Sequence, residues 1–343
     1  MTPNPDLPAT RAAAVRAPHL VLPGLAVDDL WLAADGAVVA VLTGSDSTGT
    51  GSVLFLDTAT GAERGAIPVG PGEVAVVSAE WTAVAGQENH AGEVVVRRTL
   101  TGEFVAQLNP HGPGGVHALA LADRGDLGAS IGEDGEVALW QPANGAVFAT
   151  LRPTDEVDLE CCTLTFSPNG RVLAVRTGPD ALELWTTSPR RFLEVLPETG
   201  LPVFSPDGRW VAAAGAAIRL YDLHGLLEPE ALLGRGPLAF TPDGALMVAV
   251  TPDGSTEIWR TDPPQPATHL RGRHPRLSPD GRAIAVVATE SEILLAEPAT
   301  GRTTARLTGI RGEVQSLTVG PAGSVVVAAC SDAAIRVWRT DTA

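Results

Sequence analysis

A chain of 343 residues with 24 basic and 40 acidic side chains carries a formal net charge of −16. Without a basic tract, that balance is wrong for neutralising the phosphates of nucleic acid or an anionic membrane surface. Every basic residue is Arg, so the ammonium that a P-loop, a Schiff base or a Ser-Lys dyad needs is missing.

Hydrophobic residues supply 44 % of the chain but aromatics only 4 %. The core must therefore come from Val, Leu and Ala, with 37 Gly and 28 Pro punctuating many short strands. Residues 1–18 hold Pro3, Pro5 and Pro8 and lack an apolar run of signal-peptide length, which predicts a flexible lead. A lone strand, His19 to Gly24, follows. From there the sequence repeats.

The clearest repeat is a turn after an apolar strand: Ser167-Pro168-Asn169-Gly170, Ser205-Pro206-Asp207-Gly208, Thr241-Pro242-Asp243-Gly244 and Ser278-Pro279-Asp280-Gly281. Pro presets φ at the second position, Asp bonds back to the backbone and Gly takes the positive φ. Weaker copies stand at Ala33 to Gly36, Ser78 to Trp81, Ala122 to Gly125 and Gly320 to Gly323. Each turn is followed by an alternating strand ending on an anchor: Leu56, Val96, Trp140, Trp185, Tyr221, Trp259, Ala296 or Trp338. Eight such hairpins with a further strand each predict eight four-stranded units. A lone four-stranded sheet cannot hide both faces, so the units must pack on one another, and closing into a ring protects their edges. The last unit ends one strand short, which predicts that the N-terminal strand completes it. The expected fold is all-β, an eight-bladed propeller of four-stranded antiparallel blades forming one domain over residues 19–343. Seven blades remain the alternative if the irregular second unit around Val96 does not form one.

At these residues the sequence resembles the WD40-repeat family of β-propellers. The third unit matches best, with His111, Ser130, Asp134 and Trp140 where the family forms a buried hydrogen-bond tetrad. The final unit keeps Asp332 and Trp338 but has Ile310 and Ala328 in place of His and Ser, while the sixth keeps Asp253 and Trp259. The first two units also look similar to YVTN-type propeller repeats, in Leu56-Asp57-Thr58-Ala59-Thr60-Gly61 and Ile67-Pro68-Val69-Gly70. The tetrad is a structural device, because a buried Asp needs several donors. A hydrolytic reading of His, Ser and Asp is disfavoured because Ser130 lies inside a strand of small residues, without a nucleophile elbow.

No catalytic residue, metal or cofactor is predicted. His111 with His117, and His269 with His274, lack metal-ligand spacing. The glycine-rich stretches at Gly112 to Gly115 and Gly44 to Gly51 precede no helix that could hold a phosphate. Cys161, Cys162 and Cys330 read as reduced thiols of a cytoplasmic protein. Trp31, Trp81 and Trp210 read as packing residues, and the pairs Arg97-Arg98 and Arg190-Arg191 as lying on solvated outer strands. Long second-hairpin loops at residues 43–51 and 86–92 share a rim with those carrying Asp134 and Asp332, and excess length on one face marks a binding face. Asp46, Glu88, His90, Asp134, Arg311 and Asp332 are thus the candidate rim contacts. The resemblance implies a non-enzymatic scaffold that docks a protein or peptide on the rim loops or channel mouth, and the charge favours a partner with a cationic segment. The alternative is a propeller enzyme of lactonase, hydrolase or quinoprotein type that uses the central channel.

Overall fold

In the computed structural model the description covers residues 13–340 except 26, 34, 44–50, 71–72, 79, 87–91, 100, 123–124, 155, 180, 197–201, 215–216, 224–229 and 233–234. Among the described residues eight sheets form, seven of them built on four successive antiparallel strands. Blades 1 to 7 occupy residues 27–69, 73–108, 116–151, 163–196, 203–232, 235–270 and 273–308. Blade 8 takes three strands from residues 314–339 and its fourth, outer strand from the other end of the chain. The second unit is a complete blade, so the count is eight. In place of the usual turn, the Ser78 hydroxyl accepts from the Trp81 amide at 3.0 Å, and the Ser78 amide donates to the Trp81 carbonyl at 2.8 Å.

Two short N-terminal strands close the ring. Strand β2, Leu20–Pro23, pairs antiparallel with Ala334–Arg339, with Leu20 opposite Val337, as the missing outer strand predicts. Strand β1, Ala14–Arg16, lies within the stretch expected to be a flexible lead, yet it pairs parallel with Thr303–Thr308 and makes blade 7 five-stranded. The backbone groups of that outer edge supply the reason: an unpaired ladder takes any extended chain that reaches it. Residues 1–12 lie outside the described residues. On the inner side, the Ser316 hydroxyl of blade 8 donates to Asp29 of blade 1 at 3.2 Å across the same closure.

The hydrophobic core is divided by seam. Eight buried clusters occur among the described residues, one between each pair of neighbouring blades. Val, Ala, Leu and Ile fill them because a blade face offers a flat, alternating surface that β-branched and small side chains cover well. Trp31, Trp81 and Trp210 all pack at such seams.

The repeated turns carry the chemistry read from their sequence. The hydroxyls of Ser167, Thr241 and Ser278 donate to Asn169, Asp243 and Asp280 at 2.9, 2.6 and 2.7 Å. Gly170, Gly208, Gly244 and Gly281 hold φ between +67° and +73°, a region that side chains with a Cβ resist. One placement differs from expectation. Arg97 and Arg98 lie on the third strand of blade 2, where Arg98 stacks over Trp81 at 4.2 Å and pairs with Glu80 at 2.5 Å. Arg190 and Arg191 do open the outer strand of blade 4 and are exposed.

Candidate functional site: the rim and its hydrogen-bonded anchors

In an antiparallel blade the loops that join second to third strands and those that join one blade to the next emerge on the same face. That face carries Asp134, Arg311 and Asp332 of the predicted site residues. Asp46, Glu88 and His90 lie outside the described residues.

In blade 3, His111 comes from the loop that enters the blade, Ser130 from the second strand and Asp134 from the following hairpin. Nδ1 of His111 donates to the Asp134 carboxylate at 3.0 and 3.1 Å, and Nε2 shares a hydrogen bond of 2.9 Å with the Ser130 hydroxyl. Asp134 also accepts from the Glu136 amide at 3.0 Å. Two glycines make room for this: a Cβ on Gly132 would stand 2.5 Å from the His111 ring, and one on Gly128 would stand 2.5 Å from Trp140. Trp140 is fully buried over Gly128, but its indole N–H has no hydrogen-bond partner among the described residues. The expected tetrad is therefore a bonded triad beside a packed tryptophan. Ser130 is 0 % exposed, so its hydroxyl is closed to any substrate.

In blade 8, where His and Ser are replaced, Asp332 is held by Arg336 from the third strand. One guanidinium nitrogen donates to Asp332 at 2.9 Å and a second bonds its other oxygen, while Nε donates to the Gly309 carbonyl at 3.0 Å. The Arg336 hydrogen bond holds the Asp332 carboxyl below its usual range. Trp338 donates its indole N–H to the Thr308 carbonyl of blade 7 at 3.0 Å.

Blades 4 and 6 use a third arrangement, which the sequence reading missed. Buried Glu183 accepts from the Thr154 amide at 2.7 Å, the Thr154 hydroxyl at 2.6 Å and the Trp185 indole at 2.8 Å. Glu257 likewise accepts from Trp259 at 3.2 Å. The signal was present as Glu-Leu-Trp and Glu-Ile-Trp: residues two apart on a strand share a face.

Asp134 and Asp332, predicted as rim contacts, each brace their own hairpin and are exposed, as is Arg311. The described rim is acidic over blades 3 and 4 and mixed over blades 6 to 8, where Asp253, Glu290, Glu313 and Asp332 are exposed among the arginines. Over blades 3 and 4, Glu133, Glu156, Asp158 and Glu160 are exposed. Over blades 6 to 8, Arg271, Arg273 and Arg311 are exposed, and Arg273 lies 3.6 Å from Glu313. Beside these arginines an open cleft of about 650 Å³ is lined by Asp253, Ser255, His269, Arg271, Arg273 and Glu290. The Thr251 hydroxyl and the Ser255 amide keep the Asp253 carboxyl low. Burial, then Arg273 and Arg276, lowers the affinity of His274 for a proton. Among the described residues, no cluster of three or more His, Cys, Asp or Glu is arranged to hold a metal ion.

Comparison with known proteins adds a family match in the closing blades. The model of the WD domain, G-beta repeat, matches residues 301–339. The propeller carries a WD40 repeat. Its match runs from the third-to-fourth-strand turn of blade 7 to Arg339, at the end of the third strand of blade 8, and so includes Asp332, Arg336 and Trp338. Protein LST8 homolog from Drosophila melanogaster is 24 % identical over 169 residues, covering 43 % of this chain and 52 % of that protein. The chain thus matches about half the length of this relative. Among solved structures, the computationally designed Ika8 protein is similar with a TM-score of 0.67 and 17 % identity, covering 95 % of this chain and 99 % of the designed one. That likeness speaks for the fold alone. Among the described residues, no helix is long and apolar enough to cross a membrane.

Proposed function

We propose that this WD40-repeat propeller is a non-enzymatic scaffold that binds a protein or peptide partner on its rim, with the acidic sector over blades 3 and 4 receiving a cationic segment. The observation that carries this reading is how the polar rim groups are used. Among the described residues, the His111, Ser130 and Asp134 set that imitates a hydrolytic triad is held in a structural network with its serine buried, while Glu156, Asp158 and Glu160 in the neighbouring loop are exposed. A net charge of −16 supports steering of a cationic partner toward that sector. WD40 propellers typically serve as protein-interaction scaffolds, which supports the same reading. The three free cysteines accord with a reducing compartment such as the cytoplasm.

The test is affinity capture from the native host at low and high salt, using the natural chain and a Glu156→Gln, Asp158→Gln, Glu160→Gln variant. Rim docking by charge predicts proteins retained at low salt, lost at high salt and held roughly tenfold more weakly by the variant. Retention that ignores both salt and the substitutions overturns the acidic sector as the docking surface. Turnover of a lactone or ester substrate by the purified chain would overturn the non-enzymatic reading.

A further inference from the structure

The outer edges of the eight blades are not equally guarded. An exposed edge strand invites another chain to add to its ladder, and proteins block it with Pro, charge, shortness or a covering segment. Blade 1 has Glu63, Arg64 and Pro68 on its outer strand, blade 6 has Pro264 and Pro266, and blade 8 has only four residues ending in Pro23. Blade 4 carries Arg190, Arg191 and Glu194, blade 5 has three residues, and blade 7 is covered by β1. The outer strands of blades 2 and 3, Phe104–Leu108 and Val147–Leu151, have neither Pro nor a charge. They expose Phe104, Val147 and Phe148 to 54, 45 and 42 %.

We infer that the outer edge of blade 3, Val147–Leu151, is a docking site for an extended segment of a protein partner, apolar on alternate residues and acidic at its flanks. It would add as a fifth strand. Blade 7 supplies the precedent within the same molecule, since β1 already extends that sheet in this way. Val-Phe-Ala-Thr-Leu is uncharged and rich in residues that favour strands, the composition that pairs readily edge to edge. The neighbouring charges fix the chemistry of the flanks. Arg190 of blade 4 donates Nη1 to the carbonyl of Phe148, the residue left unpaired where the ladder shifts register, at 3.0 Å, so the guanidinium stands beside the edge strand. Arg191 beside it is exposed. Other described charges on this side include Glu194, also exposed, and Arg152, which pairs with Glu136 at 2.8 Å. An entering strand takes over the Phe148 carbonyl, and the released Arg190, with Arg191, meets a carboxylate on the segment. A second copy of the chain fits less well, because two bodies of −16 repel. This surface is on the side of the ring, away from the rim, and stands or falls independently of docking there.

The test uses the full chain and a synthetic peptide, acetyl-Asp-Val-Thr-Val-Thr-Val-Asp-amide, with a version carrying Arg at both ends as control. Saturable binding is expected, with slowed amide hydrogen exchange across residues 147–151 and unchanged exchange across 104–108. Arg190→Glu combined with Arg191→Glu weakens binding about tenfold, as does the Arg-ended peptide. Phe148→Glu, which gives the edge a charge like those of blade 4, removes it. Because Phe148, Arg190 and Arg191 are exposed, urea midpoints should stay near that of the natural chain. If Phe148→Glu nevertheless unfolds, the arginine variants and the exchange pattern decide. Absence of binding, protection elsewhere in the ring, or self-association through residues 147–151 without peptide overturns the proposal.

Discussion

Blades 3 and 8 solve one problem with opposite parts. Each must hold an aspartate in the hairpin after its second strand and bury a tryptophan at the end of its third. In blade 3, Ser130 stands opposite Ala138, and the donor that reaches Asp134 is His111 from outside the hairpin. In blade 8 the pair is inverted, with Ala328 opposite Arg336, and the donor comes from the third strand itself. The position two residues before the tryptophan decides which solution is used: Ala138 in blade 3, Arg336 in blade 8, and Glu183 and Glu257 in blades 4 and 6. The blades are equivalent in backbone and individual in how each polar group is satisfied.

The largest difference between the two should appear when the aspartate is removed. Asp332→Ala leaves the almost fully buried Arg336 guanidinium without its carboxylate and is expected to cost about 3 kcal/mol. Asp134→Ala, at a carboxylate 37 % exposed, should cost about 1 kcal/mol. Urea midpoints at neutral pH measure both. Because Arg336 lowers the folded-state proton affinity of Asp332, this stabilisation is complete above the unfolded value of about 3.9 and is lost as pH falls through the lower folded value. The gap between natural chain and Asp332→Ala must therefore narrow in acid. An unchanged gap at about pH 2 would rule out the ion pair as its source.

A smaller effect separates the tryptophans. Trp338→Phe deprives the Thr308 carbonyl of its donor, whereas Trp140→Phe removes an indole N–H that has no partner. The blade 8 change should cost about 1–2 kcal/mol more than the blade 3 change, and equal midpoints would break the comparison.

The smallest concerns a strap shared by five blades. Thr58, Thr187, Thr261 and Thr340 donate their hydroxyls to the carbonyls of Gly36, Gly170, Gly244 and Gly323 at 2.6 Å, and Thr99 donates to Ser78 at 3.0 Å. Blade 3 has Pro142 at this position. Thr187→Val should cost about 1 kcal/mol, read from the same midpoints. A neutral result would leave the turn to its own Ser and Asn bonds.

These details show where sequence reading reaches and where it stops. The ring, its eight blades and the N-terminal closing strand were legible because period, turn chemistry and a missing strand are local or countable properties. The bonding of His111, Ser130 and Asp134 was legible because three residue types stood at positions with a known structural use. Arg336 was not, since an arginine in an alternating strand usually faces water. It could have been found by asking what would satisfy Asp332 once Ile310 and Ala328 had displaced the usual partners. The threonine strap was hidden for a different reason. Threonine is common at strand ends, and only its recurrence sets it apart, two residues beyond the anchor in four units and three beyond Val96 in the second. Strand β1 was missed because three residues have almost no pattern, and their conformation is fixed by the edge they meet.

That N-terminal clasp bears on how the ring is made. Strand β2 precedes blades 1 to 7 in the chain, yet its partner, Ala334–Arg339, follows all seven of them. Blades 1 to 7 can each complete a sheet as they emerge, while Leu20–Pro23 waits until all seven have been made. Closing so long a loop is slow. The ring should therefore close as a late event, with an open arc of finished blades as the species most exposed to mispairing in the cell.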